Sequence, residues 1–147
     1  MTVTLDVSPI PPAVRHDQVY AALDRLVSGE TLELVVDHRP SPLIYELEAT
    51  RPGQYRWDDG ESGPLRFTAR ITCLAQIVDA RPILAAGGEP FETLMAAVSA
   101  LDDEQPLVVL APFEPVPLEG VLGAQGFHHH TTELPDGTWR TVFRRDR

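Results

Sequence analysis

The feature that most constrains this chain is that its sequence reads twice. A step of 75 residues carries Ala21-Ala22 onto Ala96-Ala97, Leu26 onto Leu101, Pro40 onto Pro115 and Pro42-Leu43 onto Pro117-Leu118. A step of 73 carries Asp6 onto Asp79, which implies a two-residue insertion in the second strand-to-helix connection. Each half, 1–73 and 74–147, must therefore build the same small unit.

Local patterns define that unit. Val3–Val7 is a short β-branched run, broken by Pro9, Pro11 and Pro12. From Ala13 to Val27 the apolar positions Val19, Ala22, Leu23 and Leu26 keep helical spacing, and Ser28-Gly29 ends the segment. Thr31–Asp37 reads as a central strand, and Leu43, Ile44 and Leu47 mark a second helix that stops at Pro52-Gly53. A strand at Tyr55–Asp58, a turn at Asp59–Gly63 and an alternating strand at Leu65–Cys73 close the half. The same order recurs at Gln76–Asp79, Pro90–Leu101, Leu107–Ala111, Val116–Ala124, Phe127–Thr132 and Thr138–Arg144. A parallel β-α-β start followed by a hairpin predicts an α+β fold: two tandem βαβαββ two-layer sandwiches, each a four-stranded mixed sheet with two helices on one face. Cores of this size are marginal, so the halves are expected to shield each other's remaining sheet faces as an internal pseudo-dimer.

Charge and cysteine content narrow the function. The net charge is -10, with 7 Arg against 11 Asp and Glu through Cys73 and 5 against 11 after it. Neither half suits a polyanion, so nucleic acid and anionic membrane are not expected partners. No apolar run approaches the roughly 20 residues of a membrane span, and the N-terminal sequence has no signal-peptide pattern, so the expected location is cytoplasmic. Cys73 is the single cysteine, in phase with Phe67 and Ile71, and is expected in the core.

Leu5-Asp6, the prolines from Pro9 to Pro12, the stretch Leu26-x-x-Gly29-Glu30-Thr31-Leu32 and a strand ending at Asp37 together resemble the SirA/TusA-like sulfur-carrier fold. The loop Asp37-His38-x-Pro40-x-Pro42-Leu43, the run Ala111–Leu118, Gly126-Phe127 and Gly137-x-Trp139 look more like a bacterial branch of unknown function within that superfamily. The resemblance implies the fold over nearly the whole chain. Relatives of that branch occur beside hemerythrin-type or cupin domains, which implies a link to redox or metal metabolism. The carriers hold sulfur on a cysteine of a Cys-Pro motif before the first helix, whereas here Val7-Ser8-Pro9 and Ala80-Arg81-Pro82 contain none.

The topology brings the ends of the first two parallel strands to one sheet edge, where ligands of open α/β sheets bind. That predicts an approach of His16 to Asp37 and His38, a set suited to a small ligand, a divalent metal or a proton relay. The blander reading makes Asp37 a cap and leaves both histidines solvated. In the second half the matching positions are Phe91, Pro112 and Phe113, so the cluster is not repeated. Phe113 and Glu114 offer a loop to a partner or ligand, or Phe113 simply packs. His128 and His130 share one strand face and are weaker metal candidates.

No nucleophile elbow, phosphate loop or dinucleotide fingerprint occurs, so catalytic residues are not assigned. Three functions stay open: a non-catalytic accessory or ligand-binding protein, a sulfur-relay component or enzyme, and a protein-protein interaction scaffold.

Overall fold

The computed structural model describes residues 1–146, and the chain divides into two units, Met1–Leu74 and Ala75–Arg147. The first contains β1 (Thr2–Asp6), α1 (Pro12–Asp24), β2 (Thr31–Val36), α2 (Ser41–Thr50), β3 (Tyr55–Gly63) and β4 (Arg66–Cys73). The second contains β5 (Gln76–Asp79), α3 (Arg81–Ala85), α4 (Phe91–Ser99), β6 (Leu107–Ala111), α5 (Val116–Gly123), β7 (Phe127–Glu133) and β8 (Trp139–Arg145). Each unit folds around a four-stranded mixed sheet, ordered β1-β2-β4-β3 in one and β5-β6-β8-β7 in the other. The first two strands of each unit pair in parallel and the rest antiparallel.

Strand register sorts the side chains. Leu32 lies opposite Ile71 and Leu34 opposite Ala69, so these four share one pleat face, and all are buried. Val19 and Leu23 of α1 and Ile44 and Leu47 of α2 supply the buried helical side chains of that unit. In the second unit one apolar cluster joins Leu94 and Val98 of α4 and Leu118 and Leu122 of α5 to Val78, Leu107, Val109, Phe127 and Phe143 of the sheet. Polar groups enter this layer with partners: buried Glu119 accepts a hydrogen bond from Thr131 Oγ1 at 2.8 Å, and Thr131 lies 3.0 Å from the hydroxyl of buried Thr141.

Prolines start the helices. α1, α2, α3 and α5 each carry Pro in their first two positions and have no side-chain cap. There the missing N–H costs nothing, because it would have no helical acceptor. The turn from second helix to hairpin is also duplicated: Gly53 and Gly126, 73 residues apart, have φ of 74° and 88°. Only glycine adopts that region without strain.

Three expectations change. The second unit has a third helix, α3, in the connection that carries the two-residue insertion; the first unit has a turn there, with Ile10 N–H donating to Val7 O at 2.9 Å. β3 runs through the segment read as a turn, with a register irregularity after Asp59 that absorbs its Gly-rich sequence. Leu65 belongs to the hairpin tip between β3 and β4 and is 79 % exposed, because the alternation starts one residue beyond it.

Candidate functional site

The loops after β1 and β2 and the start of α1 meet at one edge of the first sheet. Arg15, the fourth residue of α1, joins them. Its side chain is 13 % exposed. Nη1 and Nη2 donate to the two carboxylate oxygens of Asp37 at 2.9 and 3.0 Å. Nε donates to the carbonyl of Ile10 at 2.7 Å, and Nη2 also donates to that of Ser8 at 3.1 Å. The guanidinium thus ties the loop after β1 to the residue that follows β2, using the bidentate geometry that distinguishes Arg from Lys. It also holds the Asp37 carboxyl far below the usual carboxylate range, with a further contribution from His38.

His38 follows directly, its Nδ1 2.8 Å from Asp37 Oδ1. An ionised carboxylate only accepts, so the neutral ring carries its proton on Nδ1 and keeps Nε2 as an acceptor. His16 is one residue beyond Arg15 on α1 and goes elsewhere. Its Nε2 is 3.1 Å from both oxygens of Glu46 on α2, and its ring stacks on Tyr20 with centroids 4.5 Å apart.

These side chains border a groove of about 690 Å³. Val7, Val19, Val36 and Leu43 give it an apolar lining, Pro12, Pro40 and Pro42 stiffen it, and Arg15, His16, Asp37, His38 and Glu46 are its polar members. His16, Asp37 and His38 therefore share a groove, but His16 pairs with Glu46 instead of joining the other two. Among the described residues no group of three or more His, Cys, Asp and Glu side chains is placed to hold a metal ion. Both oxygens of Asp37 are engaged by a cation.

Arg15 and Glu46 escaped the sequence reading, although the repeat contained the means to find them. The step of 75 that carries His16 to Phe91 also carries Arg15 to Pro90 and Glu46 to Val121. All five polar members of the first groove have apolar counterparts: Pro90, Phe91, Pro112, Phe113 and Val121. Four of these, all but Pro112, line a groove of about 280 Å³ in the second unit, together with Leu84, Leu94, Pro115, Pro117 and Leu118.

The other singled-out residues are not among the lining of the first groove. Phe113 is 52 % exposed at this second groove. Glu114 is exposed in the turn before α5, where its carbonyl accepts the Val116 N–H at 2.9 Å. His128 Nδ1 lies 2.7 Å from Asp146 Oδ1, His129 Nε2 lies 3.6 Å from Glu119, and His130 is exposed opposite Val142 on the edge strand. Cys73 is buried, as its phase on β4 predicts. Among the described residues no helix is long and apolar enough to cross a membrane.

No curated protein and no solved structure matches the chain. Two stretches, residues 4–73 and 77–145, each match one family of uncharacterized conserved proteins, DUF2249, so the duplication seen in sequence and fold is a duplication of that family's unit, and the chain belongs to the DUF2249 family.

Proposed function

We propose that the protein is a cytoplasmic, non-catalytic accessory protein whose first unit holds a small organic ligand with an apolar body and a hydrogen-bonding head. The observation that carries this reading is the Arg15–Asp37–His38 array at a groove whose remaining lining, apart from the His16–Glu46 pair, is apolar. Small-molecule sites combine a mostly apolar concavity with a few fixed polar groups. Here Arg15 fixes Asp37, and Asp37 fixes the tautomer of His38, leaving Nε2 to receive a donor from the ligand. The SirA/TusA-like kinship belongs to the same proposal, supported by the βαβαββ order and the proline-led first helix, and with it a setting in redox or metal-cofactor metabolism. Sulfur transfer finds less support, since Ser8 stands where the carriers have cysteine and Cys73 is 3 % exposed.

Amide chemical-shift mapping of untagged full-length protein against a fragment library tests the proposal. Binding compounds are expected to move the signals of Arg15, His16, Asp37 and His38, and His38→Ala to weaken them severalfold. A library with no hit on those amides overturns it. Saturable zinc, iron or copper binding that disappears with His16→Ala and His38→Ala would replace the organic ligand by a metal.

A further inference from the structure

The second groove lacks every polar group of the first, yet it persists as a concavity. Ordinary drift after duplication would fill such a groove or surround it with polar residues, because exposed aromatic rings cost solubility and large exposed apolar patches mark interaction sites. Here Phe91 and Phe113 occupy the two histidine positions and remain 48 % and 52 % exposed, with Val121, in place of Glu46, at 38 %. Pro90, Pro115 and Pro117 fix the walls, so little ordering is left for a ligand to impose.

Size and charge specify what fits. A closed apolar cavity of about 150 Å³ accepts benzene. At about 280 Å³ the groove has room for one ring or a branched alkyl group with a short polar extension. Among the described residues no basic side chain lines it, so an anionic head finds no counter-charge there. Its acidic member is Glu89, whose Oε1 accepts the N–H of Phe91 at 3.1 Å and is thereby anchored beside that ring's residue. Aromatic faces also attract cations.

We infer that the groove of the second unit is a separate binding site for a small organic cation, an amine carried on an aromatic or branched-alkyl group. The site does not depend on the ligand proposed for the first unit.

The test uses full-length protein, with 2-phenylethylamine and 3-methylbutylamine as probes and 3-phenylpropionate and 2-phenylethanol as the anionic and neutral comparisons. Calorimetry and amide-shift mapping are read together. At least one amine is expected to saturate a site reported by Phe91, Phe113 and Val121, about tenfold more tightly than the carboxylate. Phe113→Ala should weaken it about tenfold while the remaining spectrum is unchanged. Glu89→Gln should erase the preference for the amine, and Arg15→Ala should leave binding as it was. The inference is overturned if neither amine saturates the site, if the carboxylate or the alcohol binds as tightly, or if the perturbed amides are those of the first unit's groove.

Discussion

At the scale of single residues, Asp37 shows how one side chain sets the character of a site. The loops after adjacent parallel strands emerge at one sheet edge, and on that ground the sequence brings His16, in the first turn of the first helix, toward Asp37 and His38, a set suited to a ligand, a metal or a proton relay. The groove was legible because it depends on topology. The pairing was not, because reach decides it: Arg15, one residue before His16 on the helix, extends to both carboxylate oxygens, and Glu46 on α2 receives the imidazole. A pH dependence follows. The Asp37 carboxyl is held below its ordinary value of 3.8 by Arg15 and then by His38. Its contribution to stability is complete above that ordinary value and disappears as pH falls toward the depressed one. Asp37→Asn should therefore be less stable than the parent at neutral pH, and the gap should close as the solution is acidified below pH 3.8. The side chain is 43 % exposed, so the gap should be small and shrink with salt. Urea unfolding over a pH series measures it, and a gap that does not change with pH would show that the ion pair contributes nothing.

At the scale of elements, the periodicity of α1, α2 and α4 and the alternation of β4 were visible because each buries one face, and burial fixes the pattern of Val19, Leu23, Ile44, Leu47, Ala69 and Ile71. α3 has no such pattern. None of its five residues is buried, so nothing in its hydrophobic spacing announces a helix. The chain relies on backbone chemistry at such points, with proline at helix starts and glycine at helix exits, and that division can be measured with two alanine substitutions. Gly120 lies inside α5, exposed, with nothing within 4 Å of an added Cβ. Gly120→Ala should stabilise the protein by about 0.5–1 kcal/mol, since glycine is a poor helix residue. Gly126, six residues on, has equally open surroundings but a φ of 88°. Gly126→Ala should destabilise by about 1–2 kcal/mol through backbone strain alone. Denaturant midpoints that move in the same direction for both would refute this account of the turn.

At the scale of the whole molecule, the duplicated units differ on the sheet face that their own helices do not cover. In the first, alternation places Thr4, Glu33, Asp58, Thr68, Arg70 and Thr72 there, with Val35 as an apolar member. In the second, Ile77, Val108, Leu110 and Val142 share the corresponding face with His128, His130, Arg140 and Arg144. A half-chain has little stability to spare, and burial contributes about 25 cal/mol for each Å² of apolar surface removed from water. The two halves should therefore behave unequally when made alone. The segment 75–147 is expected to self-associate and to bind a hydrophobic dye, whereas 1–74 should stay monomeric and dye-silent. Light scattering after size exclusion separates these outcomes, and a monomeric, dye-silent second half would show that its apolar row is tolerated in water. Thermal unfolding of the intact chain adds the thermodynamic comparison. If the halves support one another, as their size leads one to expect, the intact chain unfolds in one transition above that of either half. Two transitions at the temperatures of the separate halves would mean that duplication produced two grooves of different chemistry without making their stabilities interdependent.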